Sequence, residues 1–389
     1  MSSRFFGVEH DRFGYHDFVR DLPLHGNCLK ELGGLKDASG KKRIVIATPA
    51  DDLEAIMRNL QDGQRLILLG DDFEMQWDYV NDGPISLPNC VIEAWGATIR
   101  VSTNDTSGNW TYRAFEINNK EVVILGGTWY RDTTIAGDNG ETRRFFYVTG
   151  SSAKLIAVAA TFDNGTGREG VVLINSARGY FLNCTFQPQY DNGISRGSGL
   201  ITEIGASAEV PGCLFDGYVV GTTTRRMNSG FGIYTRDSKS VLRGATFKHL
   251  RVGVAVKLYN WGADQEYVHI SDCDFIEMDC YYSNYAAAIM LNTDQGGDAG
   301  YTLRYVTIEN CKFHSASTNG ALLAAYNWVS ANSEQAIEHL SIRNCMFISN
   351  SSRYGIVFPY QPTDPPKLEI DEIVDCSFVG QCSQSPIYI

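Results

Sequence analysis

The amino-acid sequence predicts an all-β solenoid, in which short parallel strands stack coil upon coil. A phenylalanine recurs along the chain at steps of 28 to 38 residues. Short strands of alternating polar and apolar residues precede it, and no helical periodicity separates one repeat from the next. Strand–helix–strand units are therefore excluded. We expect equivalent strands of successive coils to pair in parallel, ~4.8 Å apart.

The recurring phenylalanine ends a motif of the form Cys-x-Phe, of which "NCTF" at residues 183–186 is one copy. The motif ends at Phe186, Phe215, Phe247, Phe275, Phe313, Phe347 and Phe378. Six of these seven copies carry cysteine two positions earlier, and the seventh carries Ala245. Weaker copies end at Phe162 and Trp129. Because equivalent side chains form ladders in a stack, we expect a ladder of small residues beside a ladder of large rings in a narrow core.

A second strand follows each marker phenylalanine and usually begins with glycine. "GLITEIG", "GVAVKLYNW" and "GALLAAYNW" are examples. Each is apolar over part of its length, as strands of parallel sheets tend to be. The sequence thus predicts at least two strands in each coil, and about ten coils.

One amphipathic helix is predicted before the first coils, at about residues 49–60. We expect Thr48 as its N-cap, Pro49 in its first turn and Gly63 at its C-terminal cap. Since the open end of a solenoid exposes core side chains, this helix is predicted to cap it. The solenoid then spans residues 44–389, and residues 1–43 form a separate N-terminal segment. The apolar face of the helix would consist of Leu53, Ile56, Met57 and Leu60.

The composition limits the possible partners and cofactors. The net charge of -12 disfavours nucleic acid, because phosphate binding needs a basic surface. The N-terminus lacks the apolar core of a secretory signal, and no apolar run is long enough to cross a membrane. Synthesis in a cytoplasm, without membrane insertion, is therefore predicted. The ten cysteines include no Cys-x-x-Cys pair, so we expect no disulfide scaffold, no zinc site and no other metal or cofactor.

The predicted helix, the stretch "NCVIEAWGATI" and the repeated short strands resemble right-handed parallel β-helix proteins of the pectate-lyase-like superfamily. The resemblance covers about residues 44–389, and bacteriophage tailspikes and related virion depolymerases look most similar. It implies a virion protein that binds and cleaves a bacterial surface polysaccharide, as a hydrolase or a lyase. A non-enzymatic structural or adhesive spike is the alternative.

The same resemblance implies a homotrimer in which residues 1–43 attach the protein to phage tail or capsid proteins. The last coil, "DCSFVGQCSQSPIYI", continues to the final residue. We therefore expect the trimer contacts along the sides of the solenoid or in the N-terminal segment.

Catalytic and binding residues are expected at outward positions of the second strands, where a long polysaccharide can lie. Alignment of these strands at their first glycine places Glu203, Tyr234 and Lys257 in one outward column. Glu203 and Asp237 are a candidate pair of catalytic carboxylates, because glycoside hydrolysis needs two. Ile201, Ile204, Ile233 and Val256 would then face the core. Predicted glycan contacts, for which a subunit interface is the other interpretation, are Tyr234, Lys257, Tyr259, Trp261, Asn292, Tyr326 and Trp328.

A second candidate pair follows the marker phenylalanine. Asp216 and Glu277 would lie about two coils apart, with His249 between them, which suits inversion at the sugar. A solvated edge of acids and bases is the alternative. For a lyase, Lys257 beside Glu203, or Arg236 with Asp237, could supply a base and neutralise an acidic sugar.

Overall fold

A computed structural model of the chain shows a solenoid of parallel strands. It describes residues 43–77, 79–103, 113–131, 144–163, 169–187, 198–217, 231–236, 240–250, 252–257, 267–278, 287–292, 302–315, 321–326, 336–349, 354–357, 367–380 and 387–388. The predicted N-terminal segment therefore lies outside the described residues, except for residue 43.

Three sides of the solenoid are formed by four sheets. One side consists of a seven-stranded sheet (sheet 1N) followed by a six-stranded sheet (sheet 1C), which meet at Ser207–Glu209 and Ser240–Arg243. Two eleven-stranded sheets, sheet 2 and sheet 3, form the other sides. The chain passes through side one, sheet 2 and sheet 3 in turn, and strands of successive coils pair in parallel. The predicted all-β parallel solenoid is confirmed.

The strands of each sheet have these bounds. Sheet 1N contains Ile44–Ala47, Gln64–Leu68, Cys90–Glu93, Glu121–Leu125, Lys154–Val158, Arg178–Leu182 and Ser207–Glu209. Sheet 1C contains Ser240–Arg243, Val268–Ser271, Thr302–Leu303, Val306–Glu309, Ala336–Arg343 and Lys367–Val374. Sheet 2 contains Asp72–Trp77, Thr98–Thr103, Thr128–Arg131, Thr161–Asp163, Thr185–Gln187, Leu214–Asp216, Thr246–Lys248, Asp274–Met278, Lys312–Ser315, Met346–Ser349 and Ser377–Gly380. Sheet 3 contains Ile85–Ser86, Arg113–Asn118, Arg144–Thr149, Glu169–Ile174, Ser198–Glu203, Phe231–Arg236, Val252–Lys257, Ala287–Asn292, Ala321–Tyr326, Tyr354–Val357 and Ile387–Tyr388.

A coil contains three strands, in agreement with the prediction of at least two, and the third is separated by a corner that the sequence pattern does not show. Asn183 of "NCTF" has a φ of 52° and turns the chain. Arg178–Leu182 consequently lies in sheet 1N, while Thr185–Gln187 lies in sheet 2. Asn and Asp accept this left-handed φ because their short polar side chains hydrogen-bond locally. The same corner recurs, with φ between 48° and 54°, at Asp272, Asn310, Asn344 and Asp375.

The marker phenylalanines form one ladder through the core, as predicted. From Phe186 to Phe378, centroids of successive rings are 4.6 to 5.0 Å apart and the ring planes differ by at most 13°. Trp129 and Phe162, which end the weaker copies of the motif, occupy the same register. Most rings of the ladder are fully buried, whereas Phe378 is 38% exposed.

A column of glycines in sheet 3 packs against this ladder. Gly199, Gly232 and Gly253 occupy equivalent positions of neighbouring strands. A Cβ atom on Gly232 would lie 2.7 Å from Cδ1 of Phe247 and 2.7 Å from the carbonyl oxygen of Gly253. Carbon atoms in contact prefer ~3.5–4.0 Å, so the large rings explain why glycine begins these strands.

The predicted helix is present, but it begins later than expected. It spans Leu53–Arg58, and its N-cap is Asp52, whose side chain accepts a hydrogen bond from the Ala55 N–H at 2.9 Å. Thr48 is in a preceding turn, where its N–H and its hydroxyl both donate to Asp51 Oδ2 at 2.7 Å. The predicted N-cap at Thr48 and first turn at Pro49 are therefore wrong, because Asp51 holds these residues in a separate turn.

The end of this helix also differs from the prediction. Its C-cap is Asn59, and Gly63 lies in a later turn with a φ of 82°. The helix packs against the first strands of sheets 2 and 3, and Leu53 and Met57 are buried. Its capping role and the number of coils stay predictions. A second helix, of one turn, spans Tyr79–Asp82.

The cysteines form the predicted small-residue column inside the core. Neighbouring thiols approach one another: hydrogen bonding to the Cys184 thiol, together with burial, raises the pKa of Cys213 above its usual value. Burial raises the pKa of Cys90, which lies in sheet 1N, to about 12. Cys376 is only half-buried. The buried free cysteines of the described residues are Cys90, Cys184, Cys213, Cys273, Cys311 and Cys345.

Truncation of one ring should test the ladder. Phe275→Ala removes two stacked contacts in the core and should lower the free energy of unfolding by about 3–5 kcal/mol. Phe378→Ala is the matched control. That ring occupies the same column and stacks on Phe347, but it is partly exposed. Urea unfolding followed by circular dichroism would measure both. An equal loss for the two variants would contradict the ladder's role.

Thiol modification should follow burial. In the native protein at about pH 8, iodoacetamide should leave Cys90 and Cys213 unmodified because their raised pKa disfavours the reactive thiolate. Cys376 should react faster because it is only half-buried, although burial raises its pKa as well. Peptide mapping by mass spectrometry would read out each site, with urea-unfolded protein as the control in which all cysteines react. Modification of native Cys90 as fast as Cys376 would show that the core is not formed.

Candidate functional site

An outward column of sheet 2 brings polar residues of successive coils side by side. Tyr130 pairs with Asp163, and Asp163 pairs with Gln187. Asp216 continues this register one coil later, because the preceding residues of the two strands pair with each other, and it then pairs with Lys248. We call this set the polar column of sheet 2: Tyr130, Asp163, Gln187, Asp216 and Lys248.

Asp216 is paired with a histidine of the next coil. Nδ1 of His249 lies 2.7 Å from Oδ1 of Asp216, which is a short hydrogen bond. The His249 side chain is 13% exposed and that of Asp216 is 21% exposed, so both remain reachable from solvent. An imidazole in this position can orient a carboxylate and exchange a proton with it.

The backbone around His249 is shaped to hold this pair. His249 has a φ of 50°, which is uncommon outside glycine, although histidine is among the residues enriched there. The Gly217 N–H donates to the Lys248 carbonyl oxygen at 3.1 Å. A Cβ atom on Gly217 would lie 2.3 Å from the His249 carbonyl oxygen. Glycine at position 217 thus permits the close approach that places the imidazole beside Asp216.

Asp163 is the second carboxylate of the polar column. It is 6% exposed, and Gln187 separates it from Asp216. Two coil spacings put their backbones ~9.6 Å apart. In inverting glycosidases the two carboxyl groups lie ~6.5–9.5 Å apart, with room for a water molecule. The spacing of the column therefore permits a pair that acts on opposite faces of a sugar ring.

Sheet 3 contains a second set of paired positions, and its backbone register corrects the sequence alignment. Glu203 pairs with Arg236, and Arg236 pairs with Lys257. Lys257 pairs with Asn292, which in turn pairs with Tyr326. The predicted column of Glu203, Tyr234 and Lys257 is therefore wrong, because Tyr234 lies two residues before Arg236.

The error in the predicted column comes from the choice of the glycine that begins the strand containing Tyr234. The stretch "GFGIY" offers two glycines, and the sequence alignment used the first. The structure places Gly232, the second one, against the phenylalanine ladder. Tyr234 consequently pairs with Ile201 and Ala255 instead.

Two isoleucines also face differently from the prediction. Ile233 and Val256 belong to the core, as expected. Ile201 shares a column with Tyr234 on the opposite face, although it is only 2% exposed. Ile204 lies in the turn after Glu203 with a φ of 48°, which is strained for a β-branched residue. Leu200 and Thr202 face the core instead, so the inward positions of this strand are shifted by one residue from the predicted ones.

Glu203 is buried in its outward position, with 7% exposure. Its charge acts on Arg144, whose Nε lies 3.0 Å from Oε2 of Glu169. Burial disfavours the charge on Arg144, but the attraction and hydrogen bond of Glu169, with further attraction from Tyr147 and Glu203, raises the pKa of the guanidinium above its usual value. Glu203 thus belongs to a network of charges on the outer face of sheet 3.

Asp216 and Glu277 lie two coils apart, as predicted, but Glu277 does not continue the polar column. Lys248 pairs with Ile276, so an apolar residue continues the polar column. Ile276 pairs with His314 and Met278 with Ser315, which leaves Glu277 in a β-bulge. A bulge adds a residue to one strand, so counting by alternation fails there.

Several predicted residues lie outside the described part of the chain, namely Asp237, Tyr259, Trp261 and Trp328. The described backbone does bring together Lys257, Asn292 and Tyr326 in the sheet 3 column. The predicted roles of all these residues, and those of Glu203, Asp216 and Glu277, stay predictions.

Sequence reasoning missed Asp163 and Gln187. Both stand directly after a marker aromatic residue, as Asp216 does. The weaker motif copy ending at Phe162 would have revealed Asp163, had the position after the marker been compared in every copy.

The fold can now be compared with known proteins. A tailspike protein mutant of E. coli bacteriophage HK620 in complex with a pentasaccharide matches with a TM-score of 0.60 at 12% identity, covering 91% of this chain and 68% of that chain. Another complex of that tailspike matches with a TM-score of 0.58 at 12% identity, covering 93% and 70%. The chain has the fold of a phage tailspike. At this identity the similarity establishes the fold alone, and the expected likeness in fold to phage tailspikes is confirmed.

The other comparisons add no relative. No protein-family model matches the sequence, and no curated protein matches it. In the part of the chain that the structure describes, none of the helices has the length and apolar character needed to span a membrane.

Proposed function

We propose that this tailspike-like protein binds a bacterial surface polysaccharide and hydrolyses it. The observation that carries the proposal is the polar column of sheet 2, in which Asp163 and Asp216 stand two coils apart and Asp216 is paired with His249. The HK620 tailspike, which shares the fold, binds a pentasaccharide. An extended sugar chain can follow a column of side chains across several coils.

The two carboxyl groups would divide the chemistry of an inverting hydrolase. Asp216 is the more exposed, and a general base must reach the attacking water, so we assign it that role. His249 positions Asp216 through the 2.7 Å hydrogen bond. Asp163 would then protonate the leaving oxygen, while Gln187, between them, could hydrogen-bond a sugar hydroxyl. This mechanism requires no cofactor.

Two alternatives rest on particular observations. Asp163 is 6% exposed, and this burial favours a spike that binds the polysaccharide without cleaving it. The register of Glu203, Arg236 and Lys257 places a carboxylate and two cations on successive coils. That order favours a lyase acting on an acidic sugar, with a cation neutralising the sugar carboxylate and a lysine as base.

Substitution of the two carboxylates tests the proposal. Asp216→Asn and Asp163→Asn should each lower the rate of product formation by about 10²-fold or more, because a missing general acid or base costs that much. The substrates would be purified capsule and lipopolysaccharide from bacterial strains to which the protein adsorbs. New reducing ends report hydrolysis, and absorbance of unsaturated uronates reports a lyase.

Glu309→Gln is the matched control for these variants. Glu309 Oε1 lies 2.8 Å from Nε2 of His269 on sheet 1C, so it makes the same kind of contact on another side of the solenoid. This variant should keep the wild-type rate. Full activity of Asp216→Asn would overturn the assignment, and binding without any product would establish the non-enzymatic spike instead.

The proposal extends to assembly and location. We propose a homotrimer in the virion, attached to phage tail or capsid proteins through residues 1–43. Light scattering coupled to size-exclusion chromatography should give three times the 43.1 kDa chain mass. A mass equal to one chain at micromolar concentration would contradict the trimer.

A further inference from the structure

We propose that His339, Glu369 and Asp371 form a binding site for a divalent transition-metal ion such as Zn²⁺. The three residues lie on the outer face of sheet 1C, on adjacent strands Ala336–Arg343 and Lys367–Val374. One possible ligand atom of each lies within 4.8 Å of those of the other two. The site lies on another side of the solenoid from the polar column of sheet 2, and it does not depend on the proposed hydrolysis.

The donor set suits a transition metal. An imidazole nitrogen and two carboxylate oxygens are ligands that Zn²⁺ accepts, and three protein ligands leave a coordination position open. His339 is 38% exposed and Asp371 is 42% exposed, so an ion can enter from solvent. His339 lies 30 residues or more before the two carboxylates, which are themselves two residues apart, so no compact sequence motif contains all three ligands.

The separation of His339 and Asp371 also suits coordination of one ion by both residues, and without an ion it is a long hydrogen bond. Nδ1 of His339 lies 3.3 Å from Oδ1 of Asp371. Two ligands of a tetrahedral Zn²⁺, each at ~2.0–2.1 Å from the ion, are themselves ~3.3 Å apart. By contrast, the imidazoles of His249 and His269 lie 2.7 and 2.8 Å from their carboxylates, as expected of hydrogen bonds.

An irregularity in the sheet presents His339 to the neighbouring strand. Ile337 pairs with Leu368 and Leu340 with Ile370, so two residues of one strand stand opposite one residue of the other. His339 is in this bulge, with a φ of 56°. A bulge redirects a side chain, and here it accompanies a histidine that lies beside Asp371.

Tyr305 fixes the plane of the imidazole. Its ring stacks on that of His339, with centroids 4.9 Å apart and planes 9° from parallel. A ligand whose ring orientation is held by a neighbour loses less conformational freedom when it binds an ion. Glu369 is exposed, so its side chain has room to complete the site.

Zinc titration of the full chain tests the site. After EDTA treatment and removal of the chelator, wild-type protein should bind one equivalent of Zn²⁺ more than His339→Ala or Asp371→Asn in isothermal titration calorimetry. Saturating Zn²⁺ should also raise the thermal midpoint of the wild type more than that of either variant, since a ligand that binds the native state stabilises it. Asp371→Asn keeps the shape of the side chain, and circular dichroism without metal should show both variants folded.

His269→Ala is the matched control. His269 lies on the same sheet, its Nε2 is 2.8 Å from Oε1 of Glu309, and its ring is near that of Tyr267. Among the described residues, Glu309 is the only carboxylate close enough to share a metal ion with it. This variant should bind as much Zn²⁺ as the wild type. Undiminished binding by both His339→Ala and Asp371→Asn would overturn the proposal, as would an equal loss in His269→Ala.

Discussion

One stacked aromatic ring per coil sets the register on which the outward columns of sheet 2 depend. Side chains alternate along a strand, so a slip of one residue would move the ring to the surface and bring the polar column into the core. Each ring–ring contact contributes about 0.5–1.5 kcal/mol beyond the burial of its area. Because the contacts repeat from Phe186 to Phe378, the preference for one register accumulates along the solenoid. The pairing of Asp216 with Lys248 is a consequence of Phe215 standing above Phe247.

The ladders could be predicted because they repeat. A phenylalanine and a cysteine in fixed relation, copied at intervals close to one coil, are visible without any knowledge of where the chain turns. The corner at Asn183 was hidden, since the apolar pattern continues on the far side of the turn. Its left-handed φ is a backbone property, and only the repeated Asn or Asp before cysteine hints at it.

The two columns proposed for function were predicted less well, because they depend on single residues rather than on repeats. The choice between two glycines in "GFGIY" displaced Tyr234 by two positions, so that it pairs with Ile201 rather than with Glu203. The β-bulges disturbed the sequence-based alignment more than the choice of glycine did. The longest step between markers, 38 residues, follows Phe275, and it begins with the bulge at Glu277. Unequal repeat lengths therefore mark places where the inward–outward alternation of side chains cannot be extrapolated along the sequence.

Two histidines with left-handed backbone illustrate how a regular scaffold acquires distinct chemistry. His249 and His339 both face an aspartate of a neighbouring coil, and both lie where the chain departs from regular strand geometry. At 2.7 Å, Nδ1 of His249 and Oδ1 of Asp216 make a direct hydrogen bond, as the proposed positioning of Asp216 requires. At 3.3 Å, with Glu369 close by, His339 and Asp371 have the separation of ligands around a small cation. The regular scaffold thus holds two histidine–aspartate pairs in different local geometries, one beside the close approach of Gly217 and the other at a bulge with a second carboxylate nearby.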